Sequence, residues 1–165
     1  MEYQANVIAS VLAERLRGTY KMLHLPDGLS QDSLHMLMTC EPQIKEISDL
    51  ISRTDVLLFG IGTAMRMADQ RHIAGEVRKQ LVDNHAVGEA LGQYCDMDGK
   101  LIYSTNNIGL SLPDVAKVPN VIAVAGGQEK ASAIIGVMRA CQKGILIIDE
   151  QAAEGMRQLL QISAL

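Results

Sequence analysis

Three short, almost uninterrupted apolar runs constrain this chain more than any other feature: 55–61 (DVLLFGI), 120–125 (NVIAVA) and 144–148 (GILII). Runs this short and this uniformly apolar suit strands buried on both faces, the mark of a parallel sheet. Residues 128–141, helical in period, separate the second run from the third, and a last helix is expected from about Gln151. Strand, helix, strand, helix in that order predicts an α/β fold: a mostly parallel sheet with helices on both faces and right-handed crossovers. Residues 94–103 (YCDMDGKLIY) break the pattern, because Asp98-Gly99 between alternating residues is a strong hairpin signal. A small antiparallel hairpin excursion is therefore expected beside the parallel sheet.

Ahead of the first run, Val7, Ile8, Val11, Leu12 and Leu16 recur on one helical face, and Gly18 stands where that helix would stop. Residues 19–25 read as a strand and Pro26-Asp27-Gly28 as a turn. A short helix is expected after Ser30 as its N-cap. Another is expected from Pro42, with Ile44, Ile47, Leu50 and Ile51 facing the core. The chain has 165 residues, 48% of them hydrophobic, with no repeat or linker-like shift in composition. Residues 1–165 accordingly read as one domain around one core.

Composition also excludes function classes. A net charge of −4 with no Lys/Arg cluster lacks the footprint of a duplex-binding surface. One phenylalanine, four tyrosines and no tryptophan cannot build a stacking platform for single-stranded nucleic acid. Cys40, Cys95 and Cys141 are odd in number and widely spaced, which suits neither a disulfide framework nor a zinc site. They read as small apolar residues in a reducing cytosol. The opening Met1-Glu2-Tyr3-Gln4 carries no secretory signature, and no apolar stretch is long enough for a transmembrane helix. A cytoplasmic protein with no membrane partner, no metal and no cofactor is expected.

Chemistry concentrates at residues 124–130 (VAGGQEK). A buried strand ends in Gly126-Gly127, and a helix starts at once, with Gln128 and Lys130 in its first turn. The glycines let a ligand approach the backbone, the unpaired N–H groups of the helix start attract an anion, and Lys130 adds a full charge. The spacing is neither a Walker loop nor GxGxxG. A tight strand-to-helix turn with a solvated lysine explains the same residues. Gly60-Ile61-Gly62 ends another buried strand and offers a second wall to the same crevice, or a tight turn only. Arg66, Arg71 and His72 follow as donors able to meet a phosphate. Asp83, His85 and Glu89 read as a polar turn, as acceptors for sugar hydroxyls, or as acid/base machinery. Asp149 reads as the N-cap of the last helix.

Residues 121–134 (VIAVAGGQEKASAI) and 145–153 (ILIIDEQAA), with 55–62 and 86–98 (AVGEALGQYCDMD) in the expected order, resemble the sugar-binding domain of SorC-type transcriptional regulators. Gly18-Thr19-Tyr20, Leu25-Pro26 and Met67-Ala68 through Arg71 resemble more narrowly the branch governing glycolytic genes in Gram-positive bacteria. The resemblance implies an α/β fold of the sugar-phosphate isomerase and CoA-transferase group. It implies a phosphorylated sugar, fructose 1,6-bisphosphate, as effector, with Glu89 accepting from a hydroxyl. Lys130 and the Gly126-Gly127-Gln128 turn would lie near one phosphate, and Arg71 would be a second anion contact. No catalytic residue is implied, and DNA would be met only through a separate domain, in a homo-oligomer. Against the family pattern the chain is expected to lack both that domain and the opening section of the effector domain. An incomplete ligand site and an exposed apolar patch are then expected. The alternative is a phosphosugar isomerase or deaminase, since the same fold group hosts enzymes.

Overall fold

The runs at 55–61, 120–125 and 144–148 become β1 (Val56–Gly60), β6 (Asn120–Ala125) and β7 (Ile145–Ile148) in a computed structural model that describes residues 5–23, 25 and 29–161. They form an all-parallel sheet in the order β1-β6-β7. Val56 to Gly60 align with Asn120 to Val124, and Ile122 to Ala125 with Ile145 to Ile148. Parallel neighbours need a crossover, and between β6 and β7 it is α6 (Ala131–Cys141). A single turn of 3₁₀-helix, Gln128–Lys130, precedes α6. The last helix, α7 (Glu150–Leu159), is capped by Asp149, whose side chain accepts from the Ala152 N–H at 2.8 Å.

Strand side chains alternate, so each strand has a core side and an open side. Phe59, Val121, Ala123 and Ala125 pack with Ala133, Ile134 and Val137 of α6 and Ala152 of α7. On the opposite side Val56, Leu58, Val124, Ile145 and Ile147 are exposed, Ile145 by 64%. The expectation that these strands are buried on both faces is corrected here: α6 and α7 seal one face only. Across the other stands α1 (Ala5–Arg15), separated from Leu58 and Val124 by a cleft. The apolar positions Val7, Ile8, Val11, Leu12 and Leu16 around this helix are exposed as well.

The expected hairpin forms from β4 (Gln93–Cys95) and β5 (Leu101–Ser104), with a register break at Tyr94/Cys95. It belongs to a larger antiparallel sheet, β2-β3-β4-β5, whose β2 (Gly62–Thr63) and β3 (Gly88–Ala90) are too short to carry a periodic signal. Tyr94 anchors a second core there with Ala64, Ala68 and Leu81, supplied by α4 (Ala64–Gln70) and α5 (Gly75–Asp83). Close approach of backbones joins the two sheets. A Cβ on Gly88 would stand 2.8 Å from the Ala133 carbonyl oxygen of α6, so only glycine fits at β3.

Two expectations fail toward the N-terminus. Residues 19–23 and 25 form no strand, because no neighbouring strand pairs with them and an unpaired strand is not stable. The turn expected at Pro26-Asp27-Gly28 lies outside the described residues. Both short helices form, α2 (Gln31–Cys40) capped by Ser30 and α3 (Pro42–Ser52) starting on Pro42. However, α3 buries no residue: Ile44, Ile47 and Ile51 are half-buried and Leu50 is exposed, since α3 packs on α2 rather than on the sheet. Among the described residues no helix is long and apolar enough to cross a membrane.

Candidate functional site

Beyond the carboxyl end of β1, Gly60-Ile61-Gly62 leads the chain from the parallel sheet into β2. The antiparallel pairing of β2 with β3 then sets Glu89 opposite Gly62. A Cβ on Gly62 would strike the Met67 side chain, so glycine keeps this corner narrow. Glu89 is only 3% exposed. Its Oε1 accepts from Arg71 Nη2 at 3.2 Å and from the Gly92 N–H at 2.7 Å. Burial raises the Glu89 carboxyl above its ordinary pKa, opposed by the Arg71 charge and the two hydrogen bonds. Such a carboxylate is a strong acceptor for a hydroxyl brought into the same low-dielectric corner.

This corner opens into a cleft of about 870 Å³, the size of a small-molecule site. Glu89, Arg66, Arg71 and Lys130 supply its charge with Glu129; Gly60, Gly62 and Thr63 form one wall, and Ile8 and Leu12 of α1 form another. Three of the residues singled out from sequence, Glu89, Arg71 and Lys130, thus meet in one space although they span 60 positions of the chain. Lys130 makes no side-chain hydrogen bond among the described residues.

Gly126, Gly127 and Gln128 sit differently. Gly127 adopts φ +95° and its N–H donates to Asp149, at 2.9 Å to Oδ2 and 3.1 Å to Oδ1. The carboxylate that caps α7 therefore also occupies the anion position at the glycine turn. Hydrogen bonds from Ala152 and Gly127, with the nearby Lys130 charge, hold the Asp149 carboxyl below its usual pKa. Gln128 lines a separate shallow depression with Glu150, Glu154 and Arg157. Lys130, three residues after Gly127, lines the cleft itself.

Asp83 and His85, at the end of α5, do not line the cleft, nor does His72. Of the trio Asp83, His85 and Glu89, Glu89 alone lines the cleft. Thr63, Glu129 and Leu91 belong to the lining and were missed; for Thr63 the signal was its position directly after Gly-Ile-Gly. Cys95 and Cys141 are buried, their thiols pushed up to about 12 and about 11 by desolvation, so both stay protonated. Among the described residues no group of His, Cys, Asp and Glu could hold a metal ion.

Residues 1–158 match the sugar-binding domain family (Sugar-bind). The central glycolytic genes regulator of Bacillus subtilis (strain 168) is 38% identical over 151 residues, 92% of this chain and 44% of that protein. Its counterpart in Priestia megaterium is 38% identical over 154 residues, 93% of this chain and 45% of that protein. The chain thus spans less than half the length of these relatives. A SorC family transcriptional regulator from Enterococcus faecalis superposes with a TM-score of 0.84 at 37% identity, over 93% of this chain and 62% of that one. The full-length sorbitol operon regulator SorC from Klebsiella pneumoniae gives 0.77 at 24% identity, over 93% and 50%, a likeness of fold alone.

Proposed function

This chain belongs to the sugar-binding domain family of SorC-type regulators, and on that premise we propose that it is the effector-binding domain of a bacterial transcriptional repressor answering to fructose 1,6-bisphosphate. The observation that carries the reading is the cleft, where one buried acceptor, Glu89, stands among Arg66, Arg71 and Lys130. Sugar hydroxyls donate to the Glu89 carboxylate, while the guanidinium and ammonium groups take the phosphates through charge-assisted hydrogen bonds. The 38% identity with two regulators of central glycolytic genes supports a glycolytic effector. DNA is met through another domain of the regulator, and the net charge of −4 suits a domain that does not itself touch the duplex. Binding biases a conformational or oligomeric equilibrium of a homo-oligomer by about 1–3 kcal/mol, the usual range of allosteric coupling.

The domain acts by binding rather than catalysis. An isomerase needs an acid/base pair at the sugar, and Asp83 and His85 stand outside the cleft that holds Glu89.

Thermal unfolding with a panel of ligands tests this reading. At a hundredfold excess over the dissociation constant a specific ligand stabilises by about 2.7 kcal/mol. For a domain of this length that raises the midpoint by roughly 5–10 °C. Fructose 1,6-bisphosphate is expected to reach that shift at the lowest concentration, fructose 6-phosphate at a higher one, and inorganic phosphate higher still. Equal shifts with inorganic phosphate, or none with any phosphosugar, would contradict the proposal.

A further inference from the structure

The turn between β3 and β4 lies at the cleft and is held from both sides. Leu91, which lines the cleft, has φ +55°, and Gly92 has φ +79°, as in the two-residue hairpin turns of the I′ kind. The left-handed region is unfavourable for a leucine side chain, so the surroundings must hold this turn in place. Toward the cleft, the Gly92 N–H donates to Glu89 at 2.7 Å. Away from it, the Gly92 carbonyl accepts from the Thr105 N–H at 2.8 Å and from Thr105 Oγ1 at 3.0 Å. The Leu91 carbonyl accepts from Asn107 Nδ2 at 3.1 Å. The residue between them, Asn106, donates through Nδ2 to the Leu29 carbonyl at 3.1 Å. Leu29 immediately precedes Ser30, whose hydroxyl accepts from the Ser33 N–H and caps α2.

An unbroken path therefore runs from the Glu89 carboxylate to the start of α2. What lies at its far end is a helix pair with little to hold it. The α2–α3 pair buries one residue, Leu34, and packs mainly on itself. Elements with so little buried surface open and shift at low free energy, and are the ones a binding event moves most easily.

We propose that the Leu91–Gly92 turn couples the cleft to the α2–α3 pair, with Thr105 and Asn107 as its positioning residues and Asn106 as its link to α2. The coupling rests on the effector reading above. A ligand whose hydroxyl competes for the Glu89 carboxylate changes the hold on the Gly92 N–H. The turn passes that change through Thr105 and Asn107 to Leu29, and α2–α3 is the surface that reports it.

Hydrogen exchange of the full chain, with and without saturating fructose 1,6-bisphosphate, tests this. In the wild type, ligand is expected to change exchange in peptides spanning 29–41 by at least about five-fold, the low end of allosteric coupling. Peptides spanning 88–93 should be protected in parallel. In Asn106→Ala, protection at 88–93 should persist while the response at 29–41 falls to less than half. The ligand-free double variant Thr105→Val/Asn107→Ala should already exchange faster at 29–41 than wild type. A wild-type change in exchange confined to 88–93, or an undiminished distal response in Asn106→Ala, overturns the coupling and leaves the effector site standing. No change in exchange anywhere contradicts the effector reading and the coupling with it.

Discussion

Glu89 is the residue on which the account turns, and its chemistry predicts a sign. Burial raises its pKa in the folded state above the ordinary value of 4.5. Between that value and the raised one, the folded chain binds more proton than the unfolded chain, so stability falls as pH rises through this window. Glu89→Gln removes the titrating group at almost constant shape. The stability of wild type relative to Glu89→Gln, from urea unfolding, is therefore expected to be highest below pH 4.5 and to decline toward neutrality. A flat difference would show that Arg71 and Gly92 fully offset the burial. Residue types mark Lys130 beside a glycine-ended strand as an anion contact, whereas Glu89 and Arg71 stand out as ligand contacts only through the family resemblance. Residue types do not reveal that the N–H of Gly127 is already taken. Its partner, Asp149, lies 22 residues on, and only the parallel alignment of β6 with β7 brings them together.

At the scale of elements, legibility follows length and periodicity. The strands β1, β6 and β7, the helices α6 and α7, and the Asp98-Gly99 hairpin each carry a local signal several residues long. The two- and three-residue strands β2 and β3 carry none, although they build the corner that holds Glu89. Residues 19–23 and 25 show the opposite case, local β propensity with no partner strand among the described residues to realise it. Close packing of α6 is equally invisible in one dimension. Gly136, in the middle of α6, has no room for a side chain, since a Cβ there would fall within contact distance of the Asp96 carbonyl oxygen. Glycine to alanine inside a helix ordinarily gains about 0.8–1.0 kcal/mol. Here the neighbour is backbone and cannot swing aside, so Gly136→Ala is expected to destabilise by about 1–3 kcal/mol. A stabilised variant in urea unfolding would contradict this packing.

At the scale of the whole molecule, the surprise is the open side of the parallel sheet. Apolar runs at 55–61, 120–125 and 144–148 imply two buried faces, and they meet only one cover among the described residues. Val56, Leu58, Val124, Ile145 and Ile147 face outward together, with the apolar side chains of α1 also exposed. The same apolar side chains suit a strand buried on both faces and one with an open second face, so the runs alone do not separate the two. The cleft opens toward that side, its floor made by both sheets and its far wall by α1, so it is a product of tertiary assembly rather than of any one motif.

The central claim is that this cleft recognises a phosphorylated sugar with Lys130 as a phosphate contact. Calorimetric titration of wild type and Lys130→Ala with fructose 1,6-bisphosphate tests it most directly. A hydrogen bond to a charged group contributes about 1.5–3 kcal/mol, so the variant should bind at least tenfold more weakly at unchanged stoichiometry. Equal affinity in the two proteins would contradict the account.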